Sequence, residues 1–159
     1  MAGGVIRVVP GRHIRRVELE GLRRVSLAAL TMLVVQYGLG IILNLYIPVP
    51  LSDAHASLGQ EIAAGPAMLT LHALLGLALI GAALVLLLRA VRLEDRVVAV
   101  LAAAGLTAIG AAFASGEIFV RNGQPGASLA MALLTGVALL CYIGALTRVS
   151  SALRRRGPA

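Results

Sequence analysis

Apolar and polar positions fall in long blocks along this chain. Four runs, at about 25–47, 67–88, 97–119 and 127–146, are almost wholly apolar and carry one formal charge between them, Glu117. Each is close to the roughly 20 residues that span a ~30 Å hydrocarbon layer at 1.5 Å per residue. In hydrocarbon a backbone must satisfy its own hydrogen bonds, so these runs are expected to be helices. They are too long, and alternate too little, for barrel strands. The pattern predicts an all-α fold: an antiparallel four-helix transmembrane bundle.

The punctuation fits. Pro48 and Pro50 close the first run, Gly65-Pro66 precedes the second, and Asp95 can cap the third, where its charge suits the helix dipole. Asn122-Gly123-Gln124-Pro125-Gly126 reads as a tight turn before the fourth. Residues 1–24 form an Arg-rich juxtamembrane segment. Within it, Gly11 to Arg24 mixes Arg and Glu with Ile14, Val17, Leu19 and Leu22, as a short interfacial helix would. The loop from Pro48 to Pro66 can hold another short helix, started by Ser52-Asp53. Ala54-His55-Ala56 resembles a signal-peptidase site, but the apolar run before it is too long for a cleaved signal, so an uncleaved anchor is expected.

Charge then orients the spans. The formal net charge is +7, and all 14 basic side chains are Arg. All but Arg121 fall in residues 1–24, in the loop holding Arg89, Arg92 and Arg96, or in the basic tail 148–159. The positive-inside rule therefore places both termini in the cytoplasm, facing anionic lipid. In a chain 59% hydrophobic, with mean hydropathy +0.93, this charge reads as membrane flanking and not as a nucleic-acid footprint. The Arg-, Ala- and Gly-rich composition suggests a GC-rich genome, hence a bacterial plasma membrane. Cys141 is the only cysteine, so no disulfide or CxxC knuckle forms within one chain. With two Phe, three Tyr and no Trp, the aromatic belt is thin.

Lipid removes most of the hydrophobic drive between helices, leaving close packing and polar contacts to hold a bundle. The third span carries small residues at four-residue spacing: Ala99, Ala103, Thr107, Ala111 and Ser115, and beside them Ala104, Ala108, Ala112 and Gly116. Ala103, Thr107, Ala111 and Ala112 are the expected packing positions, with Leu106, Ile109 and Phe113 facing lipid.

The polar residues within the spans are the functional candidates. Gln36, Gly40 and Asn44 form one stripe on the first span. His72 lies about two turns into the second, at a depth like that of Asn44, which predicts a His72–Asn44 hydrogen bond. Glu117 near the outer end of the third span has Arg121 four residues on, in the order that favours an ion pair. Gln36, Asn44, His72 and Glu117 together could wall a polar cavity. Their bland reading is helix-to-helix bonding by satisfied side chains; an intramembrane ionisable residue is also a functional candidate by default. No cofactor is expected. Haem or copper is the alternative, held by His72 with Met68, Met131 or His55. Ser128, Met131, Thr135 and Tyr142 share one broad face of the fourth span. No catalytic constellation is visible in the sequence.

Gln36-Tyr37-Gly38, Asn44-Leu45-Tyr46-x-Pro48 and Leu71-His72-Ala73-Leu74-Leu75-Gly76 resemble motifs of a family of small four-helix bacterial integral membrane proteins, and the similarity extends to Met131 and Tyr142. Tyr46 departs from it, where Phe is the more usual residue. That family has no assigned activity, so the resemblance implies the fold alone. The sequence favours a non-enzymatic accessory or structural protein, self-associating or part of a larger membrane complex, with no nucleic-acid partner. The alternatives are a haem- or metal-binding redox protein using His72, and a transporter or channel protomer lined by the polar set.

Overall fold

The computed structural model describes residues 10–46, 59–60 and 65–155, with the side chains of residues 10–14 outside the description. The described residues form four long helices and no strand: α1 Pro10–Tyr46, α2 Ala67–Arg92, α3 Arg96–Asn122 and α4 Pro125–Arg155. Each contains a stretch long and apolar enough to cross a membrane, and at most 33% of such a stretch is buried within the chain. Much of the remainder is exposed, with many large apolar side chains on the outside, including Leu140 at 71% exposure. A soluble monomer rarely carries such a surface; a bilayer accommodates it.

The connections follow from local chemistry. Asp95 caps α3, its Oδ1 accepting from the backbone N–H groups of Val97 (3.1 Å) and Val98 (3.3 Å). Gly123 ends α3 in the left-handed region, φ 63°, and its N–H reaches the Phe119 carbonyl at 2.8 Å. Pro125 opens α4, where a missing N–H leaves nothing unsatisfied. Glu94, in the loop from α2 to α3, is also left-handed, φ 57°, without the freedom of glycine.

The helices close into a ring: α1 packs on α2 and α4, and α3 packs on the same two, most extensively on α4. The dense core lies toward the Arg-rich end, where Leu22, Leu86, Ala90, Val98, Ala145 and Val149 are buried together. Close approach depends on glycine. A Cβ at Gly105 would lie 2.6 Å from Tyr142 Cε1, so the fully buried Tyr142 ring of α4 rests on the α3 backbone. Arg148 of α4 meets the Asp95 cap at 3.6 Å.

Two expectations need correction. The segment from Gly11 to Arg24 is not a separate interfacial helix: α1 runs unbroken for 37 residues, about 56 Å at 1.5 Å per residue. No proline follows its first residue, and Leu19 and Leu22 are buried with the ends of the other helices. The second concerns α3. Thr107 and Ala111 face outward, Ala103 is half-buried, and of the four named packing positions only Ala112 is buried. Ile109, assigned to lipid, is buried, and Leu106 and Phe113 are half-buried. Each step of four residues advances about 40° around a helix, so a stripe of five residues sweeps about 160° and does not stay on one buried face. The buried face is instead Val98, Ala102, Gly105, Ala108, Ile109 and Ala112. The loop from Pro48 to Pro66, with its expected short helix, lies almost entirely outside the described residues.

Candidate functional site

Toward the end remote from the arginine clusters the ring opens into a chamber of about 200 Å³. Leu33, Leu79 and Ile109 line it where it meets the dense core, and Gln36, Asn44, His72 and Glu117 all lie on its wall. The chamber draws its polar residues from every helix of the ring.

One part of its wall is the crossing of α1 and α2. Gln36 and Gly40 lie one turn apart on α1, and His72 and Gly76 one turn apart on α2. A Cβ at Gly40 would stand 3.3 Å from His72 Cε1, and one at Gly76 would stand 3.1 Å from Gln36 Nε2. Each helix thus presents a glycine to the polar side chain of the other. The close approach lets Gln36 Nε2 donate to the His72 backbone carbonyl at 2.9 Å, while the same nitrogen stands 3.2 Å from His72 Nε2.

Only the NH₂ end of the Gln36 amide can face a carbonyl oxygen, so the orientation of that amide is settled. The same nitrogen is within reach of His72 Nε2, and with a neutral ring accepting there the ring hydrogen is assigned to Nδ1. Gln36 Oε1 and His72 Nδ1 are both buried with no hydrogen-bond partner. The pair therefore leaves two polar atoms unpaired and enclosed between α1 and α2.

The other polar residues are engaged. Ser128 Oγ of α4 donates to Asn44 Oδ1 at 3.0 Å. Thr135 donates to the Met131 carbonyl at 2.8 Å. Glu117 and Arg121 form the ion pair that their spacing predicts, at 3.2 Å and well exposed, which makes its contribution small. The expected His72–Asn44 bond is absent. The register that sets Gly40 against His72 puts Asn44 a full turn beyond it, turned toward α4, and Gln36 takes its place as the partner of His72. Phe113 lies near Gly76, its Cδ2 3.9 Å from a Cβ built there, and Glu117 follows Phe113 by one turn of α3.

Of the residues considered as metal or haem ligands, His72 and Met131 line the chamber, whereas Met68 does not, and His55 lies outside the described residues. Among the described residues no three His, Cys, Asp or Glu side chains gather as a metal site. Sequence reasoning placed Gly40 on the polar stripe of the first span but missed the part that Gly40 and Gly76 play at the helix crossing. The signal was present, since Gly40 and Gly76 stand four residues after Gln36 and His72, but it becomes meaningful only once α1 and α2 are known to cross there. Compared with known proteins, the chain matches no family profile, no curated protein and no solved structure.

Proposed function

We propose that this chain is a non-enzymatic accessory protein of a bacterial plasma membrane, an antiparallel bundle with both termini cytoplasmic, whose chamber holds a small molecule. The observation that carries this reading is the convergence of Gln36, Asn44, His72 and Ser128, from three helices, on one largely apolar chamber. A pocket with a few placed polar groups is the usual form of a ligand site. The chemistry supports binding and not turnover: His72 hydrogen-bonds Gln36, and Glu117 pairs with Arg121. The resemblance to small four-helix bacterial membrane proteins belongs to this proposal.

The orientation rests on the arginines, all but Arg121 of which cluster at one end of the bundle or in its terminal segments. Self-association belongs to the same reading. α3 turns Ala104, Thr107, Gly110, Ala111 and Ala114 outward, and small residues let helix backbones approach in lipid.

The test is non-denaturing mass spectrometry of the full chain released from its own membranes. The wild type is expected to carry a small molecule that Ala132→Leu, which adds bulk to the chamber wall, has lost. An identical complement in both proteins would count against the reading.

A further inference from the structure

The shape and chemistry of the chamber indicate what occupies it. Resting on the reading of the chamber as a binding site, we propose that its occupant is a single hydrocarbon chain of a membrane amphiphile, lying along the bundle with its polar head at the open end.

The argument begins with how the space is filled. Ala73, Ala112, Gly116 and Ala132, from three helices, line the chamber with little or no side chain. A void between packed helices forfeits dispersion contacts along its whole wall, so the bundle gains from whatever fills it. Water is a poor filler here. It needs roughly two to four polar partners, and the polar groups on the wall are already engaged. Gln36 bonds His72, Thr135 bonds the Met131 carbonyl of its own helix, and Glu117 pairs with Arg121. The two atoms left over, Gln36 Oε1 and His72 Nδ1, are enclosed between α1 and α2 and offer nothing to the chamber. Its floor is Leu33, Leu79 and Ile109, all buried apolar side chains. Apolar cavities stay dry and take up apolar molecules.

Dimensions narrow the class. On α1 the lining runs from Leu33 to Asn44, ~16 Å along the helix at 1.5 Å per residue. A cavity of ~150 Å³ holds benzene, so about 200 Å³ holds roughly eight carbons. Spread over that length, the volume takes carbons in single file and not a fused ring.

Polarity sets the direction. Asn44, Glu117 and Ser128 line the chamber near the ends of their helices, remote from the apolar floor. Ser128 donates to Asn44 Oδ1, which leaves the Asn44 amide hydrogens for an oxygen of the head group. A polar mouth above an apolar floor repeats the gradient of a lipid leaflet, so a chain enters without turning over. Tyr37 and Ile41 line the chamber and are also exposed on the outside of α1. The wall is thin there, and a chain longer than the chamber can leave by that side.

The experiment places the full chain in lipid nanodiscs doped with decanoic acid carrying a diazirine at the chain end, or with a phosphatidylcholine bearing that same chain. After illumination, peptide mass spectrometry locates the adducts. The expected result is adducts on the floor, at Leu33, Leu79 or Ile109, as well as on the outward Leu140. Ala132→Leu and, independently, Ala73→Leu should reduce the floor adducts at least tenfold, while the Leu140 adducts and the helical circular dichroism persist. Floor adducts from the free acid alone mark a single-chain amphiphile, and floor adducts from the phospholipid mark a chain of the bilayer itself. Floor adducts undiminished in both variants would overturn the proposal. Non-denaturing mass spectrometry separates the remaining failures. Adducts confined to outward residues, with some other small molecule held by the wild type and lost in Ala132→Leu, would overturn the hydrocarbon chain and leave the chamber as a binding site. The same adducts with no molecule lost would overturn both.

Discussion

Gly105 is where the bundle is least tolerant of one added carbon. A Cβ there would lie 2.6 Å from Tyr142 Cε1, 2.8 Å from Cζ and 3.1 Å from the hydroxyl oxygen. Ordinary carbon contacts begin near 3.5 Å, so the ring must retreat by about 1 Å. Tyr142 has no exposed surface, so it cannot retreat alone, and α3 must part from α4 along their extensive shared face. Overpacking of this kind costs about 1–3 kcal/mol. Replacing glycine inside a helix also contributes about 1 kcal/mol in favour of alanine. Gly110, with nothing within 4 Å of its built Cβ, isolates that second effect. Gly105→Ala should therefore be less stable than Gly110→Ala by about 1–3 kcal/mol, or about 2–12 °C in thermal midpoint for a chain of this size. The assay is loss of helical circular dichroism on heating, or on titration with a denaturing detergent, in otherwise identical micelles. Adding Tyr142→Leu, which removes the ring, should recover part of the Gly105→Ala loss. Equal midpoints for the two alanine variants would refute the close contact between α3 and α4.

On α3 itself, Ala112→Leu should destabilise by about 1–3 kcal/mol in the same assay, whereas Ala111→Leu, on the outward face, should leave the midpoint within about 0.5 kcal/mol; comparable losses at both positions would restore the packing expected from sequence spacing. Glu94→Gly should stabilise by about 1 kcal/mol, because glycine adopts the left-handed conformation at φ 57° without the steric penalty, and a lower midpoint would contradict that geometry. Gln36→Leu leaves the buried His72 Nε2 without its donor and should cost about 1–3 kcal/mol, with part recovered in the double variant carrying His72→Leu; strictly additive losses would dissolve the pair. For topology, in a Cys141→Ala background, a cysteine at Gln124 should label from outside the cell and one at Glu94 only after the membrane is opened, and the opposite pattern would reverse the orientation.

The four helices were legible because each rests on a constraint that acts within one segment. Run length against bilayer thickness, the Asp95 cap and the Gly123-Gln124-Pro125 turn need no knowledge of neighbours, and the helix bounds fall within a few residues of the apolar runs except where polar ends continue them. The extensions are instructive. Arg15, Arg16, Arg23 and Arg24 lie along one unbroken helix with Leu19 and Leu22 because the helical period, not mean hydropathy, decides which residues are buried at the Arg-rich end. Hydropathy reported where lipid ends and was silent about where the helix ends.

The chamber residues were legible for a different reason, and their pairing was not. A Gln, an Asn, a His or a Glu in an apolar run is costly enough in hydrocarbon to turn inward, so Gln36, Asn44, His72 and Glu117 all reach the chamber. Depth alone then made Asn44 the natural partner of His72. What decides between Asn44 and Gln36 is how closely α1 approaches α2, and that is set by residues with no polar atom to draw attention. With alanine at Gly40, His72 Cε1 would be 3.3 Å from the new carbon; with alanine at Gly76, Gln36 Nε2 would be at 3.1 Å. Both lie inside ordinary contact, so the crossing would open and the Gln36 amide would lose its reach to the His72 carbonyl. The functional reading of this chain therefore rests on two glycines as much as on the histidine. They bring the amide close enough to bond the His72 carbonyl, and so make Gln36 and not Asn44 the partner of His72 at the chamber wall.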